Sequence, residues 1–238
     1  MLAAGADKAM KGIFPKAKEA RDILTAFPSF CNPSQLVNLP RASKSGKGYV
    51  LTGSLEYLTL GNIASNALIP ARIDESEDYS FFLVNLDLKG IGKSDPVFSL
   101  GLHACPVVDV TFDGVKAGLV GEAGKGPAYF NAVSGKMHAA ASAMAAGIMK
   151  GSFDEALAYS KERFQGGREI INWSEVSMIL ANMAVKTDVA DLLVEGLCRM
   201  IEQDGKACTR HCISSSLHIH EIACEVVTDG VQVLGGNG

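Results

Sequence analysis

Hydrophobic positions change their spacing twice along the chain. Residues 3–25 mix Ala, Lys, Met and Leu, interrupted by Gly12 and Pro15, and this composition predicts one helix or two short ones before a break at Phe27-Pro28. From Tyr49 to about Lys116 the texture becomes short β-type runs. These are Tyr49–Thr52, Tyr57–Leu60, Tyr79–Leu86 and Val107–Phe112, separated by Gly, Asn, Asp and Pro. Strands in succession without intervening helices predict an antiparallel sheet or barrel rather than βαβ units.

After Gly126 the spacing turns helical. Ala128–Arg163 is a long Ala-rich stretch. Asn172-Trp173-Ser174-Glu175 has capping-box spacing and opens a second helix with Val176, Ile179, Leu180, Met183, Ala190, Leu193, Val194 and Leu197 on its apolar face, ending at Asp204-Gly205. A third helix is predicted from about Lys206 to Leu234, with Ile213, Leu217, Ala223, Val227 and Val231 on one side. Three long helices with short links form most of an antiparallel bundle and leave apolar stripes for a fourth. The expected fold class is therefore α+β: a short helical region over residues 1–26, a small antiparallel β-domain over 27–120, then an incomplete helical bundle over 121–238.

Composition narrows the function classes. With 238 residues, 47% hydrophobic and 20% charged, the chain can bury a core, which excludes disorder as a description of the whole. The least charged apolar run, Met137–Met149, would reach only about 20 Å as a helix, short of a bilayer's hydrocarbon thickness, and Lys136 and Lys150 flank it. Asp7 and Lys8 interrupt the apolar N-terminus, which argues against a signal peptide and for a cytoplasmic setting, or a mitochondrial matrix in a eukaryote. Six cysteines in a chain this long are read as reduced thiols rather than a disulfide framework. Residues 1–50 carry eight Lys/Arg against three Asp/Glu, within a whole chain of net charge −4. That suits a local phosphate contact better than a nucleic-acid surface.

Order and residues together point further. Tyr49-Val50-Leu51-Thr52-Gly53, then Tyr57-Leu58-Thr59, Gly101-Leu102-His103 to Phe112-Asp113, Gly121 to Gly126, Glu162-Arg163-Phe164-Gln165-Gly166-Gly167 and the closing Gln232-Val233-Leu234-Gly235-Gly236-Asn237-Gly238 follow one another at characteristic spacing. In this order they resemble the acyl-CoA dehydrogenase flavoprotein family over roughly residues 30–238. The resemblance implies an FAD-dependent oxidoreductase of lipid and fatty acid metabolism. Such an enzyme dehydrogenates the Cα–Cβ bond of an acyl-CoA thioester and passes electrons to an electron-transfer flavoprotein, as a homodimer or homotetramer. By the same resemblance, residues 1–26 are the remnant of an N-terminal helical region. It also implies the cofactor-binding set: Ser34, Tyr57, Thr59, Arg163, Gln165, Gln232, Gly235 and Gly236. An aromatic two residues before a threonine on a strand directs both to one face, suited to an apolar flavin wall; an ordinary half-buried strand is the alternative. Arg163 before two glycines can offer a planar fork to a pyrophosphate, by the resemblance that of a neighbouring subunit's FAD, or it is a solvated helix-end arginine. Gln232, Gly235 and Gly236 permit close backbone approach to the dinucleotide, or form a helix cap.

The departures from that family bear on chemistry. Its Thr-x-Pro-Gly-x-Gly-Ser-Asp flavin loop is replaced by Phe27-Pro28-Ser29-Phe30-Cys31-Asn32-Pro33-Ser34, where Ser34 stands in for the serine. Its Thr-Phe-Gly becomes Gln165-Gly166-Gly167. His138 occupies the substrate-side arginine position and Met137 an alternative carboxylate position, while the usual glutamate would fall beyond Gly238. Abstracting a proton α to a thioester needs a positioned base. No catalytic residue is therefore assigned, His138 is the one candidate, this chain by itself is expected to be inactive, and the alternative expectation is a catalytically silent homologue, subunit or truncated fragment acting as a scaffold or dimer partner. Cys208, His211, Cys212, His218, His220 and Cys224 could be read as zinc ligands, yet all lie on one predicted helix, so no metal site is expected. Gly121–Gly126 has a P-loop flavour but places glycine where Ser/Thr must hold magnesium, and a turn is the simpler reading.

Overall fold

The computed structural model describes Thr25–Pro28, Asn32–Gln203 and Cys208–Gly238. The helices expected over residues 3–25 and the Asp204-Gly205 stop lie outside the described residues, apart from Thr25 at the start of a strand. Described residues up to Asn131 form one compact unit and Ala132–Gly238 another.

The first unit is a seven-stranded sheet: β1 Thr25–Pro28, β2 Arg41–Ser45, β3 Gly48–Thr59, β4 Asn66–Ile73, β5 Tyr79–Asn85, β6 Ile91–Lys93 and β7 Val107–Val120. β2 joins β3 by a hairpin through Gly46 (φ 59), with Ser45 opposite Gly48. β4 pairs with β5, β5 with the end of β7, and β7 along its length with β3, so the strands close on themselves. Most pairings are antiparallel, as expected. β1 and β2 each run parallel to β4, an arrangement the strand spacing did not suggest. Thr25–Pro28, expected partly in the helical remnant and partly as a break, is a strand opposite both β3 and β4. The two short runs Tyr49–Thr52 and Tyr57–Leu60 merge into the single strand β3, bent by irregularities between Leu51 and Gly53 and between Leu55 and Leu58.

β4 is not among the expected runs, and it contains Pro70, a residue disfavoured inside strands. It is accommodated because β1 pairs at Asn66 and Ala67, and β2 only from Arg72 onward, so no ladder bond is lost at Pro70 on that side. Inward residues Leu51, Leu55, Leu58, Ile69, Phe82, Val108, Val110 and Phe112 fill the interior. Burying each large side chain contributes on the order of 2 kcal/mol.

The second unit is built on helices α1 Gly126–Glu162, whose first turns belong to the first unit, α2 Ser174–Gln203 and α3 Cys208–Leu234. A two-stranded hairpin, β8 Phe164–Gln165 and β9 Arg168–Glu169, links α1 to α2. α2 and α3 are antiparallel: Lys186 bridges Glu225 at 2.7 Å, and Leu197 packs with Cys212 at the other end. α1 runs alongside α3 in the same direction, with Ala139 in the cluster around Cys212, Ser152 at Gly230 and Tyr159 bonded to Asn237.

The apolar face expected for α2 is the buried one, with Leu180, Met183, Ala190 and Leu197 inside. On α3 the expectation holds at Ala223, with Val227 half-buried, and misses elsewhere. The buried stripe is Cys212, Ser216, Ile219, Ala223, Val226, Gly230 and Val233, while Ile213, Leu217 and Val231 are exposed. Ser216 and Gly230 carry no hydropathy signal, yet the missing Cβ of Gly230 is what admits the Ser152 side chain of α1. The capping box is also corrected. Asn172 sits in a 3-10 turn with its amide donating to Glu169 Oε2 at 2.9 Å, and the helix instead begins with Ser177 N–H donating to the Trp173 carbonyl at 3.0 Å.

Candidate functional site

The second unit contains a cavity of about 550 Å³ lined by Tyr159, Arg163, Gln165, Gly166, Ile170, Trp173 and Val176 from one side and Gln232–Asn237 from the other. Five of the eight expected cofactor residues, Arg163, Gln165, Gln232, Gly235 and Gly236, meet here across about seventy positions of sequence. Local structure explains how. α1 ends at Glu162, and Arg163 closes its last turn through its N–H to the Tyr159 carbonyl at 2.9 Å. Gly166 and Gly167 both have positive φ (68 and 90), the backbone that a two-residue hairpin turn requires. The turn folds β8 onto β9, with Gln165 opposite Arg168. On the far wall α3 stops at Leu234, Gly235 adopts φ 61, and Asn237 Nδ2 donates to the Tyr159 hydroxyl at 3.2 Å, joining the ends of α1 and α3.

The chemistry of this lining suits part of a dinucleotide. Two helix C-termini converge, and their unpaired carbonyls can accept from sugar hydroxyls or an exocyclic amine but disfavour anions. Arg163, exposed and carrying five fixed donors, is the group that can hold a phosphate. No side chain at Gly235 or Gly236 intrudes, and a Cβ at either would meet open space. The residues present therefore fit the adenosine and phosphate end of FAD.

Among the polar and aromatic members of the lining, Tyr159, Asn237 and Trp173 were not among the expected site residues. Trp173 had been read only as part of a cap. Its ring lies 2.9 Å from where a Gly166 Cβ would be, so a side chain at that position would meet the indole.

The remaining expected residues lie in the first unit or elsewhere on α1. Tyr57 and Thr59 flank buried Leu58 on β3; Tyr57 is 53% exposed and Thr59 half-buried. Tyr57 is held in the left-handed region at φ 56, its N–H donating to Asp109 Oδ1 at 3.0 Å, within the irregularity between Leu55 and Leu58. Strain of this kind in a non-glycine residue costs on the order of 1 kcal/mol or more and is concentrated at functional positions. Ser34 is exposed in a 3-10 turn and its N–H donates to Asn32 Oδ1 at 3.0 Å.

His138 is half-buried on α1, where its carbonyl accepts from the Ser142 hydroxyl. Twenty-five residues separate it from Arg163, about 37 Å along the helix, so it does not share the cavity. The Gly121–Gly126 segment is a turn whose donors are taken: Glu122 N–H by the Tyr129 hydroxyl at 3.0 Å and Gly124 N–H by Ser80 Oγ at 2.8 Å. Among the described residues no three His, Cys, Asp or Glu side chains are grouped to hold a metal ion, and no helix is long and apolar enough to cross a membrane.

The family described as acyl-CoA dehydrogenase, C-terminal domain, matches residues 124–238, which include every residue of the cavity. Residues 124–238 thus carry an acyl-CoA dehydrogenase C-terminal domain. Acyl-CoA dehydrogenase relatives extend the match into the β-domain. The cyclohexane-1-carbonyl-CoA dehydrogenase of Geobacter metallireducens is 28% identical over 245 aligned positions, covering 100% of this chain and 64% of the relative. A subunit of the caffeyl-CoA reductase-Etf complex of Acetobacterium woodii is 29% identical over 203 positions, covering 81% of this chain and 52% of the relative. Butyryl-CoA dehydrogenase from Megasphaera elsdenii superposes with a TM-score of 0.81 over 99% of this chain and 67% of its own; at 24% identity this is a likeness of fold. The chain thus spans about half to two thirds of the length of these relatives.

Proposed function

We propose that the protein acts as an acyl-CoA dehydrogenase-type flavoprotein, binding FAD and working on the Cα–Cβ bond of a CoA thioester with an electron-transfer flavoprotein as redox partner. The observation that carries this is the convergence of Arg163, Gln165, Gln232, Gly235 and Gly236 on one cavity. When bound, FAD supplies a two-electron acceptor for the carbon–carbon bond.

The chain's own residues divide the work. Arg163 fixes a phosphate by charge-assisted hydrogen bonds, Gln165 and Gln232 offer amides beside it, and the carbonyls at the ends of α1 and α3 take polar hydrogens of the adenosine. Tyr57 and Thr59 on β3 supply an aromatic and a hydroxyl for the flavin ring, with Ser34 as a further polar contact. His138 and the cavity lie too far apart along α1 for one dinucleotide to touch both while reaching a substrate beside His138. That supports a cavity serving the FAD of a second copy, and hence a homodimer or larger assembly. Relatives named as CoA-thioester dehydrogenases and as part of a reductase-Etf complex support the substrate class and the electron partner.

A second reading rests on the resemblance: by it, Met137 and His138 stand where the family has a carboxylate and an arginine for the substrate, which favours a subunit that holds the cofactor without turnover. Titrating the chain with FAD and then mixing anaerobically with acyl-CoA thioesters of several chain lengths separates the two. Uptake followed by loss of the visible flavin band supports the enzyme, and uptake without bleaching supports the silent subunit. Failure to take up FAD overturns the flavoprotein reading.

A further inference from the structure

The hairpin that carries Gln165 to the cavity is too short to be stable by itself. It has two residues per strand and a glycine pair as its turn, whereas isolated hairpins are marginal even when longer. What holds it is Trp173, the chain's single tryptophan. The indole Nε1–H donates to the Gln165 carbonyl at 3.2 Å. The ring packs against Gly166 so closely that a Cβ there would stand 2.9 Å from it. On the ring itself sits the Arg168 guanidinium, 3.8 Å from the centroid, a cation–π contact from the opposite strand of the hairpin. Both strands are therefore pinned to one indole, which in turn lines the cavity. The base of the hairpin is tied as well, since Ile170 N–H donates to the Arg163 carbonyl at 2.9 Å and Trp173 N–H to the Ile170 carbonyl at 3.1 Å.

We propose that Trp173 is a positioning residue for the nucleotide end of the cofactor: it fixes the hairpin so that Arg163 and Gln165 meet the ligand in one geometry. The inference rests on the flavoprotein reading for its ligand and on the hairpin contacts for its mechanism. The pre-organisation is worth having because an arm ordered before binding spends none of the binding free energy on being ordered.

Two measurements on the full 238-residue chain test it, with FAD as the probe. In amide hydrogen exchange, Trp173→Phe keeps a ring and loses the N–H, and Trp173→Ala loses both. Protection at residues 165–170 should fall about tenfold in the alanine variant and less in the phenylalanine variant, while the core of α2 and α3 keeps its protection. In equilibrium dialysis, Trp173→Ala should weaken FAD binding about tenfold, and Arg163→Ala should weaken it strongly in the wild-type background but only about twofold in the Trp173→Ala background, because the arm it acts from is already loose. Unchanged exchange at the hairpin overturns the proposal, and so does strict additivity of the two substitutions, which would make Trp173 a merely structural residue. If the wild-type chain takes up no FAD while hairpin exchange responds as expected, the flavoprotein reading has failed and the anchoring of the hairpin stands.

Discussion

At the scale of single residues, Tyr79 is an ionisable side chain that the fold buries fully. Its ring packs edge-on against Phe81 with centroids 5.4 Å apart, and its buried hydroxyl has no hydrogen-bond partner among the described residues. Burial pushes the phenol up to about 12; Ser34 nearby opposes the rise without reaching bonding geometry, and the charge of Asp78 adds to it. Because the folded value lies above the unfolded one of 10.0, the favourable neutral form is fully kept below pH 10 and its stability is lost as the pH climbs towards 12. Tyr79→Phe retains the ring and removes an unsatisfied hydroxyl. We expect unfolding free energies from urea titration at pH 7 equal to the wild type or higher by about 1 kcal/mol, and a shallower loss of stability above pH 10. A clear destabilisation at pH 7 would show that the hydroxyl is bonded after all.

At the scale of elements, the start of α1 depends on Gly126. A Cβ there would run into the Tyr79 ring and the Tyr79 carbonyl oxygen, and a backbone oxygen has little freedom to give way. Gly126→Ala should therefore destabilise by about 1–3 kcal/mol in denaturant melts, despite alanine's better helix propensity.

The first turn of α2 carries a pH effect of the opposite sign. Glu175 is held below its ordinary 4.5 by its own backbone N–H and the Ser174 hydroxyl, with Arg168 contributing. Its stabilisation is present above pH 4.5 and is lost as the pH falls through the lowered folded value. A small gap in stability between wild type and Glu175→Gln should be measurable at pH 7, shrink with salt because the group is exposed, and close in acid.

Elements were legible where side chains announce their faces. The alternation in β3 and β7 and the stripe on α2 could be read directly. β2 could not, since Ala42 is its only buried residue, and neither could β4 across Pro70. The buried face of α3 was hidden because its closest contact is made by a glycine. In the cavity, Arg163, Gln165 and the Gln232–Gly236 stretch were found through the family's motif order. Trp173 was not, because nothing ten residues downstream of Arg163 signals that the chain doubles back through a glycine turn.

At the scale of the whole molecule, the helical unit bares apolar side chains on all three helices. Met178 (67% exposed), Val185 and Leu192 (69%) line one face of α2, Leu217 (70%) and Val231 lie on α3, and Met144 and Ile148 on α1. Apolar faces of this extent drive association. Sedimentation velocity should show concentration-dependent species above the monomer, and Leu192→Lys with Leu217→Lys should shift the distribution towards the monomer; a wild-type chain that stays monomeric at high concentration would contradict this.

The closure of the β-domain has a different consequence, in time rather than space. β7 completes the ring by pairing with both β3 and β5, yet it is the last of the seven strands to be synthesised. Until Val120 has emerged from the ribosome, β3 and β5 each present an unpaired edge, and the nascent chain cannot bury Leu55, Leu58 or Phe82 against their final partners. Any pause in translation upstream of Val107 would thus prolong the interval in which this protein is a substrate for chaperones or for its own neighbours' edges.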